Sequence, residues 1–145
     1  MKKGKDYIGI GVGVMLFNDK GELLLTKRGQ GAKNERGCWE IPGGGVEFGE
    51  TLAQAVIREA KEEIGVDIEI TQQLFSIDHL IPAENQHWVA TPFLATMAAG
   101  QVPKILEPHK CEAIGWYALD KLPEPLSITT MLNVRSYEEY LALQS

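Results

Sequence analysis

The 145 residues, 44% hydrophobic and 23% charged, lie near ordinary globular averages and predict one domain over residues 1–145 with a core of useful size. A formal net charge of -6 argues against a protein that tracks along a nucleic-acid polymer, which needs clustered Lys and Arg. No stretch approaches the roughly 20 apolar residues of a membrane span, and Cys38 and Cys111 are too far apart for a zinc ribbon or redox pair. A cytoplasmic protein with reduced thiols is expected, and an acidic enzyme with an anionic substrate then needs metal or a local basic patch.

Lys2, Lys3 and Lys5 precede an apolar run to Phe17, but Gly9, Gly11 and Gly13 interrupt it, so it does not read as a secretion signal. Ile8, Ile10, Val12 and Val14 instead alternate with those glycines as a strand does. Asn18 to Gly21 then turns the chain into a second strand at Glu22 to Lys27, which predicts a β-hairpin. The three glycines share one face of the first strand, and the bare backbone there suits close packing or a planar base. Gly29 to Gly37 reads as a surface loop, and Trp39 to Ile41 as a short strand stopped by Pro42 and Gly43-Gly44-Gly45.

Thr51 with Gln54 forms a capping box, and Gly65 suits the left-handed residue that ends a helix, so a helix is predicted over 51–64. Beyond it, Val66 to Ile81 and His87 to Ala98 read as two longer strands, and Ala113 to Ala118 as a last one. Ile128, Met131, Leu132, Tyr140 and Leu143 have rough helical spacing and predict a closing amphipathic helix.

On the 51–64 helix Glu59, Glu62 and Glu63 stand at i, i+3 and i+4, so their carboxylates leave one sector about 100° wide. They flank the apolar sector of Ala53, Val56, Ile57, Ala60 and Ile64. A solvated charged face would show the same three residues. Yet Glu59 and Glu63 repel each other, and no Lys or Arg follows any of the three by four residues. Hard oxygen ligands gathered at a domain seam suit Mg²⁺. The glycines at 43–45 would let backbone approach an ion, although a plain turn explains them equally well.

The joint spacing is more specific. Gly44, five residues, Glu50, seven residues, then Arg58-Glu59-Ala60-Lys61-Glu62-Glu63-Ile64-Gly65-Val66 resembles the Nudix box, GX5EX7REUXEEXGU, over residues 44–66, with Ala60 smaller than the usual bulky aliphatic. Gly11 to Val14, Leu24 to Arg28, Trp39 to Gly44 and Glu107 to Glu112 with Trp116 are similar to the MutT-like branch acting on oxidised guanine and thiopurine nucleotides. The resemblance implies the Nudix α/β/α sandwich with a mixed central sheet. It also implies metal-dependent hydrolysis of a nucleoside triphosphate, dGTP or 8-oxo-dGTP in type, to monophosphate and pyrophosphate. Nucleotide sugars, dinucleotides and a binding-only nucleotide sensor are the alternatives.

By the same resemblance Glu59 and Glu63 are principal ligands of Mg²⁺, for which Mn²⁺ can substitute. Glu62 assists, and the Gly43 carbonyl completes the set. Arg58 orients the carboxylates, and Glu50 supports the loop. Glu112, with Glu107 second, is the candidate for a further acid from a late loop, and Lys27 and Arg28 are candidate phosphate contacts. His79, His87 and His109 have no ligand spacing and read as ordinary strand or loop residues. A small-molecule nucleotide is the expected partner, with a homodimer allowed.

Overall fold

The computed structural model describes all 145 residues. Its strands are β1 (Gly9–Leu16), β2 (Leu23–Arg28), β3 (Trp39–Glu40), β4 (Gly43–Gly45), β5 (Ile68–Gln73), β6 (Ile77–Ile81), β7 (Gln86–Met97) and β8 (Cys111–Tyr117). Helix α1 (Leu52–Ile64) follows β4, and α2 (Ile128–Gln144) closes the chain. Neither helix is long and apolar enough to cross a membrane.

A mixed sheet runs β4-β1-β7-β5, with β6 also paired to β7, and a smaller antiparallel sheet runs β3-β2-β8. Alternation along β1 divides the core between two layers. Val12, Val14 and Leu16 pack with Ala55, Val56, Ala60 and Ile64 of α1. Met15, from the other face, joins Leu23, Leu25, Ile41, Leu74 and Val134 of α2. The result is an α/β sandwich with one helix on each face of the mixed sheet.

The expected β1–β2 hairpin does not form. After a single bridge between Phe17 and Leu23, β2 leaves for the small sheet. A strand has only two edges, and those of β1 are taken by β4, antiparallel, and by β7, parallel over Gly9 to Leu16. The predicted strand Val66 to Ile81 is likewise two strands. β5 and β6 pair in succession with different halves of the long β7, and Leu74 between them is buried.

Helix α2 forms where expected but shows a different face. Ile128, Met131 and Leu143 are exposed, whereas Thr130, Asn133, Val134 and Ser136 are buried. Hydrogen bonds set its rotation, because Ser127 caps Thr130 and the Thr130 hydroxyl accepts from the Ile41 amide at 3.1 Å. On α1, Ala55 replaces Ala53 in the buried sector, and Ile57 lies partly in solvent.

The glycine face of β1 serves close packing. The Trp88 indole lies over Gly9, and Ile41 presses on Gly13 at 2.7 Å from where a side chain would begin. Both cysteines are free thiols, Cys111 buried and Cys38 half-buried.

Candidate active site

Both ends of α1 are fixed by its sequence. Thr51 and Gln54 exchange side-chain and backbone hydrogen bonds at its start, and Gly65, with φ 71°, turns the chain left-handed at its end. That fixed helix meets β4, the edge strand of the mixed sheet, and two of its glutamates lie at the meeting point. The Glu59 carboxylate lies directly against the Cα of Gly44, where any side chain would displace it. One strand residue away, the Gly43 amide donates to Glu63 Oε2 at 3.0 Å.

Arg58 ties the remaining carboxylates together. Its Nε and Nη2 donate to the two oxygens of Glu50 at 2.7 and 2.9 Å. Its Nη1 donates to Glu59 at 2.9 Å and Glu62 at 3.2 Å, and Nη2 also reaches the Gly45 carbonyl at 3.0 Å. The hydrogen bonds from Arg58 hold the Glu50 carboxyl down to about 2. Arg58 in turn is held protonated, foremost by its bond to Glu50.

Glu63 is in the opposite condition. Burial first, then the charge of Glu40, pushes its carboxyl up to about 8, against a smaller lowering by the Gly43 amide. Glu59 is raised too, mainly by burial, with Glu62 and Glu107 adding to the effect against Arg58. No three of these acidic groups close into a ready-made cage. Even so, a carboxylate buried among like charges with no basic partner lacks positive charge, and a hard divalent cation supplies it. Glu63, with the charge of Glu59 near it, has the donor chemistry that suits such an ion.

The late-loop acids separate clearly. Lys104 and Leu106 donate from their amides to the carbonyls of Ile64 and Glu63, at 3.0 and 3.4 Å, so this loop docks on the end of α1. The charge of Glu107 thereby reaches both Glu59 and Glu63. Glu112, ranked first from sequence, is exposed and pairs with Lys27 at 3.6 Å.

The Arg28 guanidinium is engaged within the protein. Its Nη1 grips both oxygens of Glu40 at 3.2 and 3.0 Å, while Nε and Nη2 go to the Asn34 carbonyl and side chain, both at 2.8 Å. Glu40 is the residue that sequence reasoning passed over. Burial raises its carboxyl against the pull of Arg28, and it sets the electrostatic surroundings of Glu63. A carboxylate between Trp39 and Ile41 in a short apolar strand was the available signal.

A model of the NUDIX domain matches residues 8–134, and the chain belongs to that family. It is 33% identical over 137 residues to the human protein named 8-oxo-dGDP phosphatase NUDT18, covering 92% of this chain and 39% of that one. It is 39% identical over 79 residues to an RNA pyrophosphohydrolase of Orientia tsutsugamushi (strain Boryong), covering 54% of this chain and 41% of that one. The chain therefore spans about two fifths of the length of these curated relatives. A crystal structure of a MutT NUDIX hydrolase from Burkholderia pseudomallei matches with a TM-score of 0.82 at 39% identity, over 90% of this chain and 98% of that one.

Proposed function

We propose that this chain hydrolyses the diphosphate linkage of a nucleoside triphosphate, with guanine or oxidised guanine as the base, to the monophosphate and pyrophosphate. The observation that carries the reading is the placement of Glu59 and Glu63 against Gly44 and Gly43, with Arg58 bracing Glu59 from behind. Glu59, Glu62 and Glu63 would hold Mg²⁺ or Mn²⁺, with the Gly43 carbonyl beside them. When bound, the metal supplies charge neutralisation at the phosphates and acidifies a water.

The chain's own residues do the rest. Arg58 keeps Glu59 and Glu62 in one orientation, and Glu50 fixes Arg58 against the loop after β4. Glu107 is the better placed of the two late-loop acids to accept a proton near Glu63. Lys27, half-exposed on β2, keeps a free face toward solvent and remains the candidate phosphate contact of the Lys27–Arg28 pair.

A nucleoside diphosphate is the second reading, favoured by the human relative named for 8-oxo-dGDP. Incubating the protein with Mg²⁺ and a panel of nucleoside di- and triphosphates, nucleotide sugars and dinucleotides, in heavy-oxygen water, tests both. Monophosphate with pyrophosphate from triphosphates is the expected product set. Monophosphate with phosphate from diphosphates alone would select the second reading, and release of only the terminal phosphate from triphosphates would refute the first.

A further inference from the structure

Of the three lysines ahead of β1, Lys2 and Lys5 are exposed and Lys3 is half-buried. The segment around them is a tight turn. The Gly4 amide donates to the Tyr7 carbonyl at 2.7 Å, and the Lys5 and Asp6 amides both donate to the Lys2 carbonyl, at 3.1 and 2.8 Å. Gly4 is buried against the Trp88 indole, where a side chain would begin 2.4 Å from the ring, and its carbonyl accepts from the His87 amide at 2.7 Å. Its φ of 82° suits glycine alone among small residues. Residues 2–7 therefore form a strap fastened to the start of β7 rather than a loose lead-in.

The strap delivers one side chain to the candidate active site. β4 pairs with β1 as far as Gly45 against Gly11, and the Val46 amide adds one more bond, to the Ile10 carbonyl at 2.8 Å. The Val46 carbonyl accepts from Lys3 Nζ at 2.9 Å. The same ammonium stands beside Gly45, 3.3 Å from where a side chain would begin there, and its charge reaches Glu50. The loop from β4 into α1 is thus held from several sides. Arg58 takes the Gly45 carbonyl at 3.0 Å, Lys3 takes the Val46 carbonyl, and the Glu47 amide donates to Glu50 Oε1 at 3.0 Å. Of these anchors only Lys3 comes from outside the loop and α1.

We propose that Lys3 is a positioning residue of the active site: by holding the Val46 carbonyl it fixes the loop that aims Glu50 at Arg58, and through Arg58 the carboxylates of Glu59 and Glu62. A charged donor bonds a carbonyl more strongly than a neutral one does. The strap also fixes the backbone of Lys3 in advance, so less freedom is lost when the bond forms. The inference rests on the hydrolase reading above and extends the Arg58–Glu50 pair to a segment that precedes the first strand.

The test combines kinetics with hydrogen exchange. Lys3→Met removes the ammonium and keeps the stem. It should lower kcat about tenfold, the low end of what partners of metal ligands contribute, with KM changed less than about twofold. Exchange of the Glu47 amide proton, read by NMR in EDTA, should quicken about fivefold or more, because Glu50 holds that proton. Lys3→Arg keeps a cationic donor and should restore both readouts. Lys5→Met loses the same charge from an exposed position of the strap and should behave as wild type. In the background of Glu50→Ala, which leaves no carboxylate to aim, Lys3→Met should cost nothing further. Wild-type kcat in Lys3→Met, unchanged Glu47 exchange, or a loss that adds in full to that of Glu50→Ala would overturn the proposal. Quickened exchange in Lys3→Met, restored by Lys3→Arg, in a protein that hydrolyses none of the nucleotide panel would support the positioning of the loop and remove the hydrolase reading.

Discussion

Arg58 and Glu50 are joined by two nearly parallel hydrogen bonds, 2.7 and 2.9 Å long, while the same guanidinium reaches Glu59 and Glu62. The loop after β4 and two acidic residues of α1 thus share one planar clamp. Lysine offers a point charge without that fork. Arg58→Lys is expected to lower kcat/KM about 10- to 100-fold, as loss of a residue that orients metal ligands does. Steady-state kinetics check this, with circular dichroism showing an intact fold.

Glu63 couples activity to stability with opposite signs. Its folded value of about 8 stands above the ordinary 4.5, so the folded metal-free protein binds the extra proton between those limits. Its contribution is fully present below the ordinary value and is lost as pH rises through about 8. Glu63→Gln should therefore abolish activity yet stabilise the metal-free protein at pH above 8 by about 1–3 kcal/mol, roughly 3–10 °C in Tm. Thermal melts in EDTA across that pH range provide the check; equal melting at high pH would contradict it.

Glu107 and Glu112 can be told apart by paired substitutions. Glu107→Gln should reduce kcat about 100-fold if it handles a proton near Glu63. Glu112→Gln, at an exposed pair with Lys27, should stay within about threefold, since surface pairs contribute little. The reverse order would return the late-loop role to Glu112.

Gly44→Ala places a methyl where the Glu59 carboxylate stands. Displacing that group by about 1 Å is expected to cost about 100-fold in kcat. Gly37→Ala is the contrast. Its φ of 81° makes alanine strained, but nothing lies near the added methyl, so its effect should fall on Tm with activity retained.

Helix α1 was far more legible than the sheet. Thr51, Gln54 and Gly65 mark the limits of α1, and helical spacing alone brings Glu59, Glu62 and Glu63 onto one sector. Strand pairing is another matter, because periodicity shows that Gly9 to Leu16 and Leu23 to Arg28 are strands without showing which edges they take. The joining of β1 to β7 is a long-range choice. The pairing of Arg28 with Glu40 escaped for a related reason: it depends on the burial of Glu40 and on its charge near Glu63, which neither local pattern contains. On α2, apolar spacing gave way to the hydrogen bonds of Thr130 and Ser127.

The parallel pairing of β1 with β7 also constrains the order in which the molecule is assembled. Gly9 faces Trp88 and Leu16 faces Ala95, so a ribosome must release the chain through β7 before the first strand acquires that neighbour. Until then β1 has only the three-residue β4 on its other edge. The local elements, α1 and the β6–β7 ladder, can form early, whereas closing the mixed sheet is the non-local step that sets the pace of folding. A nascent chain stalled before Trp88 therefore exposes the open edge of β1, the segment most in need of protection from wrong partners during synthesis.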